Sequence, residues 1–112
     1  MIYFWKENTE LIMNVLLQID FPYEGPFAEE MTEAFAPLAE SIRQEPGLIW
    51  KIWTENRETK ESGGIYLFED TASAEAYLTM HVARLESFGI RGIRSKLFAV
   101  NTPLSRLTGA MI

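Results

Sequence analysis

Residues 45–69, EPGLIWKIWTENRETKESGGIYLFE, constrain the fold more than any other stretch of this chain. Two short runs of β-formers flank a polar connection, and they carry two tryptophans, a tyrosine and a Gly-Gly pair. The pattern predicts a β-hairpin, strands two (about 48–55) and three (about 63–69), built around an aromatic wall. Trp50, Trp53, Tyr66 and Phe68 offer more ring surface than strand pairing requires, so they line either a core or a ligand cavity. Helical patterns on both sides make this hairpin the centre of a larger repeat.

Upstream, Val15, Leu17, Ile19 and Phe21 alternate with Leu16, Gln18 and Asp20, the period-2 signature of a first strand with one buried face. From Pro26, taken as a first helical position, Phe27, Met31, Ala34, Phe35, Leu38 and Ile42 recur at spacings of three and four until Glu45-Pro46-Gly47. Pro37 removes a donor inside this first helix, and a kink or short break is expected there. Asp70 is placed to cap a second helix whose stripe is Ala74, Tyr77, Leu78, His81, Leu85 and Phe88, ending at Gly89. A last strand is expected over about 93–100, followed by a Pro-led turn in the tail.

The order βαββαβ, with right-handed crossovers, gives a ferredoxin-like α+β fold: a four-stranded antiparallel sheet with both helices on one face. The other face is left bare. If Trp50 and Ile52 turn toward the helices, the bare face carries Ile49 and Trp53 with Lys51 and Glu55. A second copy is expected to cover it, giving a homodimer. The domain occupies residues 14–101, preceded by an extension (1–13), disordered or packed on a neighbouring subunit, and followed by a tail (102–112) resting on the domain or the partner.

At 112 residues and 47 % hydrophobic, the chain can bury a core as one unit without metal or disulfide. Ten basic against sixteen acidic side chains leave a net charge of −6, with no basic stripe to meet phosphates, so nucleic acid is not an expected partner. Lys6, Glu7 and Glu10 interrupt the apolar start before a signal core or spanning helix forms, and no membrane association is expected. Cysteine is absent, which is compatible with the cytoplasm and removes thiol nucleophiles. One histidine and no cysteine leave a zinc or non-haem iron site short of its usual ligands, and no glycine-rich cradle for flavin or nicotinamide phosphates is present; no cofactor is therefore expected.

The segments FPYEGPF from 21, PLAESIRQEPGLIWKIWTE from 37, GGIYLFED from 63 and AYLTMHVARL from 76 resemble the YdhR family of mono-oxygenases. The resemblance covers about residues 13–105 and is most specific in QEPG-x-x-WK-x-W-T-E followed by GGIYLF. It implies a dimeric α+β barrel, with a pocket in each protomer between sheet and helices. Related proteins include cofactor-free mono-oxygenases and haem-degrading oxygenases. It implies an activity less directly, since one fold serves oxygenases and binding proteins alike.

His81 is the single histidine, set on the apolar stripe of helix two. It reads as a general base or hydrogen-bond donor in an apolar pocket, as an axial haem ligand, or as a buried histidine satisfied by a backbone carbonyl. Arg84, three residues on, either holds an anionic oxygen beside it or is a solvated helix-face residue. Trp50, Tyr66 and Phe68 are the candidate substrate walls, against an ordinary aromatic core. Gly63-Gly64 reads as hairpin geometry or close backbone approach. The leading expectation is a small homodimer that binds a planar or aromatic organic molecule and oxygenates it without metal or flavin. The alternatives are a non-catalytic ligand-binding or scaffold dimer and, further off, a haem-degrading oxygenase, for which Gln18 stands where those relatives carry asparagine.

Overall fold

The computed structural model describes residues 13–112, so the extension lies almost wholly outside the described residues. Seven elements follow one another: β1 (Val15–Pro22), α1 (Ala28–Arg43), β2 (Leu48–Asn56), β3 (Glu61–Phe68), α2 (Thr71–Ser87), β4 (Arg94–Ala99) and a short α3 (Thr102–Leu107). The strands form one antiparallel sheet in the order β2-β3-β1-β4, with β1 and β3 paired at its centre. This is the expected ferredoxin-like α+β arrangement.

The alternation in β1 does what period 2 predicts: Val15, Leu17, Ile19 and Phe21 are all buried beneath the helices, joined by Tyr66 and Phe68 of β3. From α1, Met31 and Ile42 enter this core, and from α2, Ala74, Tyr77, His81 and Leu85 do. The α2 start is capped as expected, with Ser73 N–H donating to Asp70 Oδ1 at 2.8 Å. Phe88 falls at the C-cap and is 61 % exposed, so the stripe loses its last member to solvent.

One expectation about α1 needs correction. The helix begins at Ala28, not Pro26, because Phe27 keeps an extended backbone at the N-cap. Its first N–H is met from far along the chain: Ala28 N–H donates to Glu55 Oε1 of β2 at 2.9 Å. The helix also runs through Pro37 without a break. Pro37 is exposed, and losing one backbone bond costs less than detaching Phe35 and Leu38, which pack on the core on either side of it.

The largest correction concerns β2. Leu48 faces Phe68 and Trp50 faces Leu67, leaving Ile49 as a bulge. One extra residue reverses every later side chain in the strand. Lys51 and Trp53 therefore turn toward the helices, while Trp50 and Ile52 occupy the opposite face. Lys51 and Trp53 do share a face, as their parity requires, but it is the inner one. On the outer face, Ile52 and Phe98 are 53 % and 45 % exposed, and Trp50 lines a groove with Leu16, Leu67 and Met111 of the tail.

Gly63 is required by the close pairing of β3 with β1: a Cβ there would stand 2.0 Å from the Ile19 carbonyl oxygen. Gly63→Ala must push the central strands apart, and a loss at the upper end of the about 1–3 kcal/mol typical of overpacking is expected. The urea midpoint measures it; an unchanged midpoint would show that the strand approach has slack.

Candidate functional site

Between the inner sheet face and the two helices lies a cavity of about 750 Å³. Its inner wall carries Lys51, Trp53, Tyr66 and His81; Met31, Phe35 and Leu38 of α1 form an apolar side; and Glu24, Phe88, Arg91 and Gly92 stand around the exposed mouth. The size suits a small polycyclic molecule, and the lining is mostly apolar with a few convergent polar groups.

The expected site residues are only partly brought together. His81 and Tyr66 line the cavity, and Arg84 reaches it through His81. Phe68 is fully buried behind Tyr66, with ring centroids 6.2 Å apart, so it supports the wall without facing the space. Trp50 is excluded by the bulge, and Trp53, assigned to the outer face by simple alternation, takes its place. Gln18 lies exposed on the outer side of the sheet, remote from His81.

His81 is held by an aromatic and basic network. Its ring stacks on Tyr77 at 4.9 Å and meets Tyr66 edge-on at 6.3 Å. Arg84 Nε and Nη2 lie 3.2 and 2.9 Å from His81 Nδ1. A guanidinium only donates, so Nδ1 accepts and the neutral ring carries its proton on Nε2. Burial, then the positive charges of Lys51 and Arg84, lower the His81 pKa to about 3. The backbone-carbonyl partner considered from the sequence is replaced by Arg84. At neutral pH His81 is thus a hydrogen-bond donor through Nε2–H and a poor base.

The tyrosines are also kept neutral. Tyr77 Oη donates to Tyr66 Oη at 3.2 Å; burial pushes Tyr77 up to about 12 and raises Tyr66 further, with Tyr77 adding to the effect. Tyr23, at 8 % exposure, lines the cavity from the β1–α1 connection, and its hydroxyl has no partner among the described residues.

Lys51 is the residue that sequence reasoning left on the wrong face. Its ammonium lies 3.3 Å from the centroid of Trp53 and 4.7 Å from that of Tyr66. Desolvation, then the charge of Arg84, lower its pKa to about 7. Gly64 makes room for it, since a Cβ at 64 would come 2.5 Å from Lys51 Cε. The signal in the sequence was the pairing of WKIW with a glycine two residues before Tyr66; what hid it was the bulge. Among the described residues no group of three or more His, Asp or Glu is placed to hold a metal ion, and no helix is long and apolar enough to cross a membrane.

A family model described as "Putative mono-oxygenase ydhR" matches residues 16–111. No curated protein matches the chain. Three solved structures share the fold. The monooxygenase of ActVA-Orf6 from Streptomyces coelicolor, in complex with nanaomycin D, aligns with a TM-score of 0.58 at 15 % identity, covering 95 % of this chain and 97 % of that one. SnoaB, a cofactor-independent oxygenase from Streptomyces nogalater, gives 0.56 at 19 % identity over 79 % and 93 %. Protein SO0527 from Shewanella oneidensis gives 0.58 at 15 % over 80 % and 92 %.

The lowered lysine and histidine pKa values predict how stability varies with pH. Between about 7 and the ordinary 10.5, the unfolded chain holds a proton on Lys51 that the folded chain has released, so stability rises with pH across that window. The same sign holds for His81 between about 3 and 6.5, where stability is lost as pH falls. Urea unfolding at pH 7 and 9 should show the rise in the parent, and Lys51→Met should flatten it and be more stable at pH 7. A parent with equal stability at both pH values contradicts the burial of the ammonium.

Proposed function

The chain belongs to the ydhR mono-oxygenase family, and from that membership we propose that it is a homodimeric, cytoplasmic mono-oxygenase that binds a planar, hydroxylated aromatic molecule in the cavity beneath its helices. The observation that carries the substrate class is the lining: Trp53, Phe35 and Tyr66 offer flat apolar surface, and the polar groups gather at one end, around His81. A planar molecule with an oxygen at one end matches that division. The nanaomycin D complex and the cofactor-independent oxygenase among the structures of the same fold support the reading.

The chemistry assigns the electrons to the substrate. A phenol-like hydroxyl that loses its proton becomes electron-rich enough to reduce dioxygen. One oxygen atom bonds to a ring carbon, the O–O bond and that carbon's C–H bond break, and the other oxygen leaves as water with that hydrogen and the hydroxyl proton. The substrate thus supplies all the electrons and ends as a quinone. The protein's part is to hold the substrate, stabilise the developing oxyanion and exclude water. His81 Nε2–H is the donor to that oxyanion, and Arg84, fixed on Nδ1, holds the ring in its tautomer and spreads positive charge behind it. Tyr66 is a wall whose raised pKa keeps its own proton in place, so it adds no negative charge against the substrate oxyanion. The Tyr23 hydroxyl, without a partner among the described residues, suits a second polar atom of the substrate. With a hydroxylated polycyclic aromatic in air, the protein should consume dioxygen, and His81→Ala should slow this about 10²- to 10³-fold, the usual cost of one oxyanion donor. An unchanged rate would leave His81 a packing element.

Assembly follows from the outer sheet face. Ile52, Phe98, Leu16 and Trp50 form an apolar surface there, and a second copy laid face to face is the occupant we assign. The interface should exceed about 1,000 Å² in total, and Ile52→Glu should convert the dimer to monomer in light scattering. A parent that is monomeric at micromolar concentration would end this part of the proposal.

A further inference from the structure

Lys51 is the group in the cavity that the activity described so far does not use. Its surroundings are unusual for a cation. Two aromatic faces take up its charge, at 3.3 Å from Trp53 and 4.7 Å from Tyr66. Among the described residues no carboxylate lies within ion-pair distance of it. Among the described residues the groups facing it are neutral or positive: Tyr66 from β3, His81 and Arg84 from α2, and apolar Met31, Phe35 and Leu38 from α1. The Tyr23 hydroxyl lies in the same cavity, the nearest carboxylate of its own strand, Glu55, is committed to the start of α1, and Glu24 stands out at the mouth. Partners for buried cations are the rule, and here the described residues supply none.

We propose, building on the oxygenase reading, that Lys51 is the base and anion holder of the site: its amine takes the proton from an acidic hydroxyl of a planar aromatic substrate, and the ammonium then holds the oxyanion against Trp53. The step is a proton transfer without redox change. The O–H bond breaks with its electron pair left on oxygen, the amine lone pair forms the new N–H bond, and a neutral pair becomes an ion pair inside an apolar cavity, where attraction is strongest. The counter-charge that the described residues do not supply is thus brought by the substrate. Gly64 is the positioning residue, since any side chain there would occupy the space through which the lysine stem passes. A lysine poised near neutrality sets the direction of the pH response: substrate ionisation by the protein improves as pH rises toward about 7 and levels off above it.

The test uses 4-nitro-1-naphthol, whose phenolate absorbs in the visible, and its methyl ether, which cannot ionise, with the full chain. Wild-type protein should lower the ionisation midpoint of the bound naphthol by about one pH unit or more, a tenfold shift in the equilibrium. Lys51→Met should abolish that shift and keep its affinity for the methyl ether, which shows the cavity intact. Gly64→Ala meets the flexible end of the lysine at 2.5 Å and the Tyr66 ring and Ile52 carbonyl oxygen only at 3.2 and 3.3 Å, so it should fold with the lysine displaced and show a reduced shift. A naphthol that fails to bind the wild-type protein, or binds it without a shift, overturns the assignment, and so does a shift that survives in Lys51→Met. The oxygenase reading fails separately: Lys51-dependent ionisation without dioxygen consumption keeps this inference and removes that one, whereas consumption unaltered by Lys51→Met does the reverse.

Discussion

A single unpaired residue in β2 decides what the interior of this protein contains. Because Ile49 bulges out of the ladder, Tyr66 is paired with Lys51, and a lysine and a tryptophan enter the space beneath the helices. Without the bulge, Trp50 and Ile52 would fill that space with hydrocarbon, and Lys51 would lie in water. The fold would survive either register, since β1 and β3 carry the central core. What the bulge provides is a cavity with chemistry in it, and bulges beside functional sites are a recurrent device.

Around that lysine the polar groups form a chain in which each member fixes the next. Arg84 fixes the tautomer of His81, His81 stacks on Tyr77, and Tyr77 donates to Tyr66, whose ring receives the lysine. Burial keeps the histidine neutral at physiological pH and moves both tyrosines further from ionisation, so Arg84 holds a standing charge at one end and Lys51, lowered to about 7, a titratable one at the other. Such a network is rigid because every rearrangement would leave a polar group unpaired in a low-dielectric layer.

How much was legible in the sequence follows from which signals are local. The alternation in β1, the stripe of α2 and the Asp70 cap each depend on neighbours within a few residues, and apart from the exposed Phe88 the structure has them where the pattern requires. His81 and Tyr66 were placed correctly because no irregularity interrupts their elements. The start of α1 was misplaced because its cap, Glu55, comes from 27 residues away. Trp50 and Lys51 were assigned to exchanged faces because alternation counts residues, and a bulge is an extra count that a propensity pattern does not register. Nor could the lack of a carboxylate partner for Lys51 among the described residues be read, being a property of several elements at once.

The space left by Gly64 has a consequence beyond this one molecule. Positions 51 and 64 are diagonal neighbours across β2 and β3, where Lys51 pairs with Tyr66 and Trp53 with Gly64, and the long stem of one occupies the volume that any side chain at the other would need. Drift at these two sites is therefore not independent. A chain of this kind that acquired alanine or serine at 64 would keep a buried lysine at 51 only by displacing it, and selection would favour a shorter residue there. The pair should vary together, glycine with lysine and a larger residue with a smaller one, so a glycine–lysine combination marks those chains in which the charged interior has been retained.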